Sequence, residues 1–322
     1  MRNVRGAGIE AFSGDVKILY FEGPKTLEAD ELLLDVRAAG VGNWDDIARV
    51  GEWDLGRRPP MVLGVEVSGV VRGSGEEAGD FKLGDRVLAH SAPFRGQGAW
   101  APQFVVPASA TAVLPAPVSF ETAGGFPVPA LTADQALRDG IAISTGETVL
   151  INGAGGVTGN LLVQMAALSG AKVIATASTR SAGRAQQSGA ALVVDSRSSG
   201  WLADVRAWTA GLGVDAAVNA VPGQASAVLD VVRDKGRLAT ITSDPPASVR
   251  GVEVRQIYVA PDGARLQQLA AMLASGAVNL TVSAVYPLEA AADALEHVRR
   301  GSGGGTVVLR VKGLDGGSGG RS

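Results

Sequence analysis

The 322-residue chain contains no cysteine, which removes disulfides, cysteine-ligated iron–sulfur clusters, thiolate nucleophiles and every cysteine-containing zinc site at once. Imidazole is almost as scarce. His90 and His297 are the two histidines, without any short ligand spacing between them, so no metal site is expected. An excess of positive charge is also missing: Lys+Arg number 29 against 32 Asp+Glu, for a formal net charge of −3. A chain without a basic field has no electrostatic footprint for nucleic acid. No segment reaches the roughly 18 apolar residues needed to cross a bilayer, and the start, Met1 to Gly6, lacks the apolar core of a signal peptide. The expectation is a cytoplasmic protein with neither a membrane nor a nucleic-acid partner.

What is present is enough apolar material for real cores. Hydrophobic residues make up 46% and charged residues 19%, so burial can outweigh the entropy of ordering the chain, and the length suits about two domains. Up to Pro115 and Pro117 the chain reads as short strands punctuated by glycine and proline, at 18–21, 31–38, 65–71, 86–89 and 103–106. From Ser119, which can cap a helix, strands and helices alternate. Strands are expected at 147–152, 171–176, 191–194, 214–219 and 237–242. Helices are expected at 131–137, 157–168, 180–188, 201–209 and 224–232. The helix at 157–168 is expected to pack along a side formed by Val157, Leu161, Met165 and Leu168. Repeated βα units with apolar strands call for a parallel sheet covered by helices on both faces. A helix at 262–275, a strand near Val282, a helix at 288–299 and a strand at 306–311 then return to complete the first domain. The glycine- and serine-rich Gly313–Ser322 is expected to be a flexible tail.

One motif carries chemistry. At the end of the first strand of the alternating region, small residues fall at Ala154, Gly156 and Gly159, opening the helix at Val157. A dinucleotide site needs small residues here so that the turn is tight, the backbone approaches a pyrophosphate and the helix packs close to its strand. Backbone amides of Gly155, Gly156, Val157 and Thr158 then face the phosphates at the positive end of the helix dipole. About twenty positions on, an acid would accept from the ribose 2′-hydroxyl of NAD. The chain instead offers Ser178, Thr179 and Arg180, donors suited to a 2′-phosphate, so NADPH is the expected cofactor.

These residues, together with Val41-Gly42-Asn43-Trp44-Asp45, Leu63-Gly64-Val65-Glu66, Leu83-Gly84-Asp85-Arg86-Val87, Gly98-Ala99-Trp100-Ala101, the Leu131–Leu137 segment and Gly305–Leu309, resemble the medium-chain dehydrogenase/reductase superfamily. The resemblance is to its zinc-independent branch of quinone oxidoreductases and enone or enoyl reductases. It implies an α/β chain with a GroES-like β-rich domain (1–118 and 259–312) and a Rossmann, doubly wound parallel-sheet domain (119–258). The substrate would lie in a cleft between the domains. Zinc-dependent relatives carry a cysteine and a histidine where this chain has Gly42 and Val65, so only Glu66 survives of that environment. The implied reaction is hydride transfer from NADPH to a quinone or an α,β-unsaturated carbonyl compound, a small-molecule substrate, in a homodimer. Alternatives are an enoyl-thioester or other biosynthetic double-bond reductase, with Arg57-Arg58 as a rim for a carrier's phosphopantetheine, and a non-catalytic NADPH-binding sensor.

No general acid stands out, and Asn43 and Thr132 are the catalytic candidates, each with a plainer role as a turn residue and a helix hydroxyl. Asp45 has a helix-capping alternative and Asp85 reads as a turn residue. Thr132 is also expected near the nicotinamide, and Asn219, Ala220, Val221 and Thr242, at strand ends, near the cofactor. Trp44, Trp53, Phe94 and Tyr258 are the expected substrate-pocket aromatics, with Trp100 and Phe126 as further candidates.

Overall fold

The structure, a computed structural model, describes residues 3–312, so the expected tail at 313–322 lies outside the described residues. The chain divides into two compact units: one runs to Val128 and resumes at Pro261, and the other is Pro129–Ala260.

The first unit opens with β1 (Asn3–Ile9), β2 (Lys17–Glu22) and β3 (Glu31–Val41), followed by α1 (Asn43–Val50) and β4 (Met61–Val62). β5 (Glu66–Ser74), β6 (Arg86–His90), β7 (Gln103–Pro107), β8 (Thr111–Val113) and α2 (Phe120–Gly124) follow. β3 is the spine, buried on both faces along its length except at Leu33 and Arg37, which are half-buried. It pairs antiparallel with β5 and β7. Ser119 caps α2 through its hydroxyl, which accepts from Thr122 N at 3.1 Å. α2 packs on β3 and β5, and Phe120–Val128 therefore belongs with this unit, beyond the expected boundary at residue 118. Asp85 fills the turn role read from sequence, accepting from Lys82 N at 2.8 Å.

The second unit follows α3 (Pro127–Gln135), which begins in the first, with β9 (Thr148–Asn152), α4 (Val157–Leu168), β10 (Lys172–Ala177), α5 (Ala182–Gln187) and β11 (Leu192–Asp195). α6 (Trp201–Trp208), β12 (Val214–Asn219), α7 (Ala225–Val231), β13 (Val232–Thr240) and β14 (Glu253–Gln256) complete it. Its strands run parallel in the order β11-β10-β9-β12-β13-β14. That is the Rossmann order, with the reversal between β9 and β12 where such sheets bind ligands. The apolar strands pack against α6 and α7 through Leu150, Ile174, Trp201, Val205, Val228 and Leu238.

The chain then re-enters the first unit as α8 (Gly263–Ala274), β15 (Val282–Pro287), α9 (Ala291–Arg300) and β16 (Thr306–Arg310), with β16 pairing antiparallel with β3. Two expectations need correction. Leu168 is 55% exposed and takes no part in the packing side of α4; buried residues lie all around that helix from Gly159 to Ala166 instead. The strand expected at 237–242 is β13, which starts earlier and stops at Thr240, leaving Thr242 in the loop beyond.

Candidate functional site

In the second unit the sequence motif forms a tight cradle. Gly153 turns the chain at φ +95°, a left-handed conformation that favours glycine. Its N–H donates to Thr176 Oγ1 at 2.9 Å, and Ala154 N donates to the Thr176 carbonyl at 2.9 Å. A side chain at Gly159 would overlap the Gly153 carbonyl, so glycine is what lets α4 start directly against the turn. Gly156 stands exposed at the N-terminal end of α4, and Val157 and Thr158 form its first turn. First-turn N–H groups have no partner four residues back, and an anion is the natural acceptor there.

α5 closes the cradle from the side. Arg184 Nη2 donates to the Gly155 carbonyl at 2.6 Å, and the Ser178 and Ser181 hydroxyls are 2.9 Å apart. The expected helix start at residue 180 moves to Ala182, so Ser178, Thr179 and Arg180 form the turn after β10, with Thr179 and Arg180 exposed. No carboxylate stands among them. Arg184 bears no mark in the sequence; its place on the cradle is a tertiary fact.

Asn219 ends β12 fully buried, with Ala220 and Val221 half-buried after it. Its register partner on β9 is Asn152, whose own partner on β10 is Thr176. The Thr242 hydroxyl donates to Asp244 Oδ1 at 2.6 Å. Burial pushes the Asp244 carboxyl up, but hydrogen bonds from Thr242, Thr240, Ala225 and Gly223 outweigh it and hold the group below the usual carboxylate range. Thr132 lies half-buried on α3. Tyr258 is 72% exposed on the second unit.

The first unit gathers the other candidates. Asn43 opens α1 with an exposed side chain, and Trp44 follows half-buried. Asp45 takes the capping role: Oδ2 accepts from Gly42 N at 2.8 Å. The Trp44 indole folds back over Gly42, and a Cβ at position 42 would overlap its ring. Trp53 lies with its ring 6.5 Å from that of His90, and Phe94 is buried. Trp100 and Phe126 are fully buried; Trp100 donates its indole N–H to the Gly40 carbonyl at 2.9 Å, a packing role.

Three titratable groups lie completely buried in this region. Burial pushes the Asp45 carboxyl up to about 8 against the opposing hydrogen bond from Gly42 N. It raises Glu66 well above the carboxylate range, a shift that Val128 N at 2.8 Å opposes and the nearby Asp45 charge reinforces. Burial also lowers His90 to about 4, although its Nδ1–H donates to the Val65 carbonyl at 2.9 Å. Burial thus favours the protonated form of both carboxyls and the neutral form of His90. A zinc ion takes thiolate, neutral imidazole or carboxylate ligands. Gly42 and Val65 offer no ligating side chain, the Trp44 ring lies over Gly42 and the chain has no thiolate, so these residues do not fit a thiolate-and-imidazole zinc site. Among the described residues no group of three or more His, Asp or Glu is placed to hold a metal, and no helix is long and apolar enough to cross a membrane.

The Gly42–Trp44 contact is testable by itself. Gly42→Ala is expected to cost roughly 1–3 kcal/mol by overpacking. The same change in a Trp44→Ala background should cost less, a coupling that thermal melts of the four proteins in the cycle would measure.

Comparison with known proteins agrees with both units. Residues 28–117 match the alcohol dehydrogenase GroES-like domain, and residues 188–309 match the zinc-binding dehydrogenase family. The chain therefore belongs to the medium-chain dehydrogenase/reductase superfamily, whose members are oxidoreductases using a nicotinamide cofactor. Over 321 residues it is 27% identical to the quinone oxidoreductase of Sus scrofa, covering 91% of this chain and 97% of that one. A Pseudomonas syringae quinone oxidoreductase structure is 27% identical with a TM-score of 0.86, over 95% of this chain and 99% of that one. A mycobacterial protein solved with NADPH is 28% identical with a TM-score of 0.84, again over 95% and 99%.

Proposed function

We propose that this protein is a zinc-independent, NADPH-dependent reductase of quinones or α,β-unsaturated carbonyl compounds. The observation that carries the cofactor half of the reading is the turn after β10, which offers Ser178, Thr179 and Arg180 and has no carboxylate of its own. An acid there would repel a 2′-phosphate, whereas an arginine and two hydroxyls can donate to it. Bound reduced nicotinamide supplies the hydride. The cradle at 153–159 would hold the pyrophosphate through backbone N–H groups, and Asn219, Ala220, Val221 and Thr242 sit at the strand ends that face dinucleotides in this fold. Thr132 is assigned to the nicotinamide end and Asn43 to the substrate, with Trp44, Trp53 and Phe94 as apolar walls. Tyr258, exposed on the second unit, is proposed as a further aromatic of the substrate site.

For the chemical half, hydride delivery to a conjugated double bond needs positioning more than a Lewis acid. The cytoplasm and a homodimer remain the proposed setting.

The test is NADPH consumption followed at roughly 340 nm, where reduced nicotinamide absorbs, against a panel of quinones and enones, repeated with NADH and with a chelator. Chelator-resistant turnover preferring NADPH is expected. Turnover restricted to enoyl thioesters would favour the biosynthetic reductase, and tight NADPH binding without turnover on any acceptor would favour a sensor. Arg180→Ala should raise the KM for NADPH about tenfold, the scale of one charge-assisted hydrogen bond at an exposed position. The KM for NADH should hardly move; a loss equal for both cofactors would remove Arg180 from the phosphate contact.

A further inference from the structure

The carboxyl ends of four adjacent parallel strands carry one rung of polar side chains: Thr176 on β10, Asn152 on β9, Asn219 on β12 and Thr240 on β13 stand opposite one another in register. All four are fully buried. Packed in the interior, buried polar groups must be satisfied by one another.

Here they are, and in a single direction. Gly153 N–H donates to Thr176 Oγ1 at 2.9 Å, and that hydroxyl donates to Asn152 Oδ1 at 2.6 Å. Asn152 Nδ2 donates to Asn219 Oδ1 at 2.8 Å, and Asn219 Nδ2 donates to Thr242 Oγ1 at 3.0 Å. The Thr242 and Thr240 hydroxyls donate to Asp244 Oδ1 at 2.6 and 2.8 Å. The relay that starts at the glycine turn thus ends on one carboxylate. Successive bonds of one polarity strengthen each other in a buried setting.

The other carboxylate oxygen faces the loop that leads into α7. Asp244 Oδ2 accepts from Gly223 N at 2.8 Å and Ala225 N at 3.4 Å. The segment just before that loop lies on the cradle: a Cβ at Gly153 would meet Val221 Cγ2 at 2.7 Å and the Ala220 carbonyl at 3.3 Å. One end of the relay fixes the Gly153 N–H, and the other fixes the loop whose beginning backs Gly153.

We infer that Asp244 is a positioning residue for the dinucleotide site: its carboxylate holds the 221–225 loop against the glycine turn and terminates the relay that orients Asn219 and Asn152. The inference rests on the nicotinamide-dinucleotide reading above. Besides Asn219 Nδ2 at 3.5 Å, four donors converge on Asp244, two on each oxygen. An asparagine has only one acceptor oxygen and would present N–H groups to one of the two pairs.

The test is calorimetric titration of the whole chain, wild type and Asp244→Asn, with NADPH and NADH separately. Both dissociation constants are expected to rise by a common factor of about ten, leaving the ratio between the two cofactors as in wild type. Asp244→Glu should recover part of the loss. A lowered melting temperature with both constants within about twofold of wild type would mark a purely structural role and overturn the inference. Wild type binding neither dinucleotide would overturn the nicotinamide reading itself and the inference with it. Should Asp244→Asn fail to fold, Thr242→Val, which removes one donor and keeps the carboxylate, decides: a common rise for both cofactors supports the relay, and unchanged constants overturn it.

Discussion

Gly159→Val is expected to abolish measurable dinucleotide binding, lowering affinity at least about a hundredfold by calorimetry. The cause is steric. A Cβ at residue 159 would overlap the Gly153 carbonyl oxygen and reach within 3.0 Å of Ala154 Cα, so α4 must move off the turn that it opens. The first-turn N–H groups of Val157 and Thr158 would move with it, and backbone donors aimed at a phosphate lose most of their value when displaced by about an ångström. The packing conflict adds roughly 1–3 kcal/mol of destabilisation. Gly159→Ala should fall between the two proteins. A Gly159→Val protein that bound NADPH within about threefold of wild type would show that the cradle is not where the pyrophosphate sits.

The second large effect is on the pH dependence of stability. In the unfolded chain the Asp45 carboxyl ionises near 3.8, and in the folded protein it keeps its proton to about 8. Between those values the unfolded state releases a proton that the folded state retains, so stability falls as pH rises through the interval and levels off above 8. Glu66, also raised, acts in the same sense. His90 acts in the opposite sense: lowered from 6.5 to about 4, it costs stability as pH falls through that range. From about 6.5 to 8 the carboxyl effect therefore stands unopposed by His90. Thermal melts of wild type should drop over that range, while Asp45→Asn, which keeps an acceptor for Gly42 N, should give a flatter profile. At a pH of about 8 the variant should be the more stable by on the order of a few kcal/mol. Parallel profiles for the two proteins would remove Asp45 as the source.

Much of the second unit is legible in the sequence because its elements are apolar runs bounded by breakers. α4 at 157–168 and β12 at 214–219 have the bounds that the pattern predicts. Elements rich in polar residues or glycine escape such reading. α1, Asn43–Val50, has two aspartates in its first turn, and the edge strand β14 mixes charged, polar and apolar residues as Glu253, Val254, Arg255 and Gln256. β1 carries two glycines, and β13 begins in the charged stretch after Val232. For each of these strands, pairing with a neighbour, which no local pattern encodes, overrides weak propensity.

The candidate site is legible to the same degree. The glycine spacing is local, and so it can be read. The relay is not, because Asn152 and Asn219 are 67 residues apart and meet only through sheet register. A trace of it is nevertheless present in the chain: β9, β10, β12 and β13 each place an asparagine or threonine at or next to their carboxyl end, after apolar residues. Of these, sequence reasoning singles out Asn219 alone. Asp244 and Arg184 carry no such mark, since a loop aspartate and a helix arginine are ordinary surface residues until their partners are known.

The return of the chain to its first unit bears on the order in which the protein is made and folds. Pro129–Ala260 is one continuous stretch, so it can fold as a unit while translation proceeds. The spine strand β3 cannot complete its sheet until β16 has been synthesised, because Val307 pairs with Val41 across the whole inserted domain. Until then one edge of β3 remains without its final neighbour. Such long-range pairing is slow and leaves strand edges open to other chains, so the β-rich unit is the part of a nascent molecule most in need of protection from aggregation.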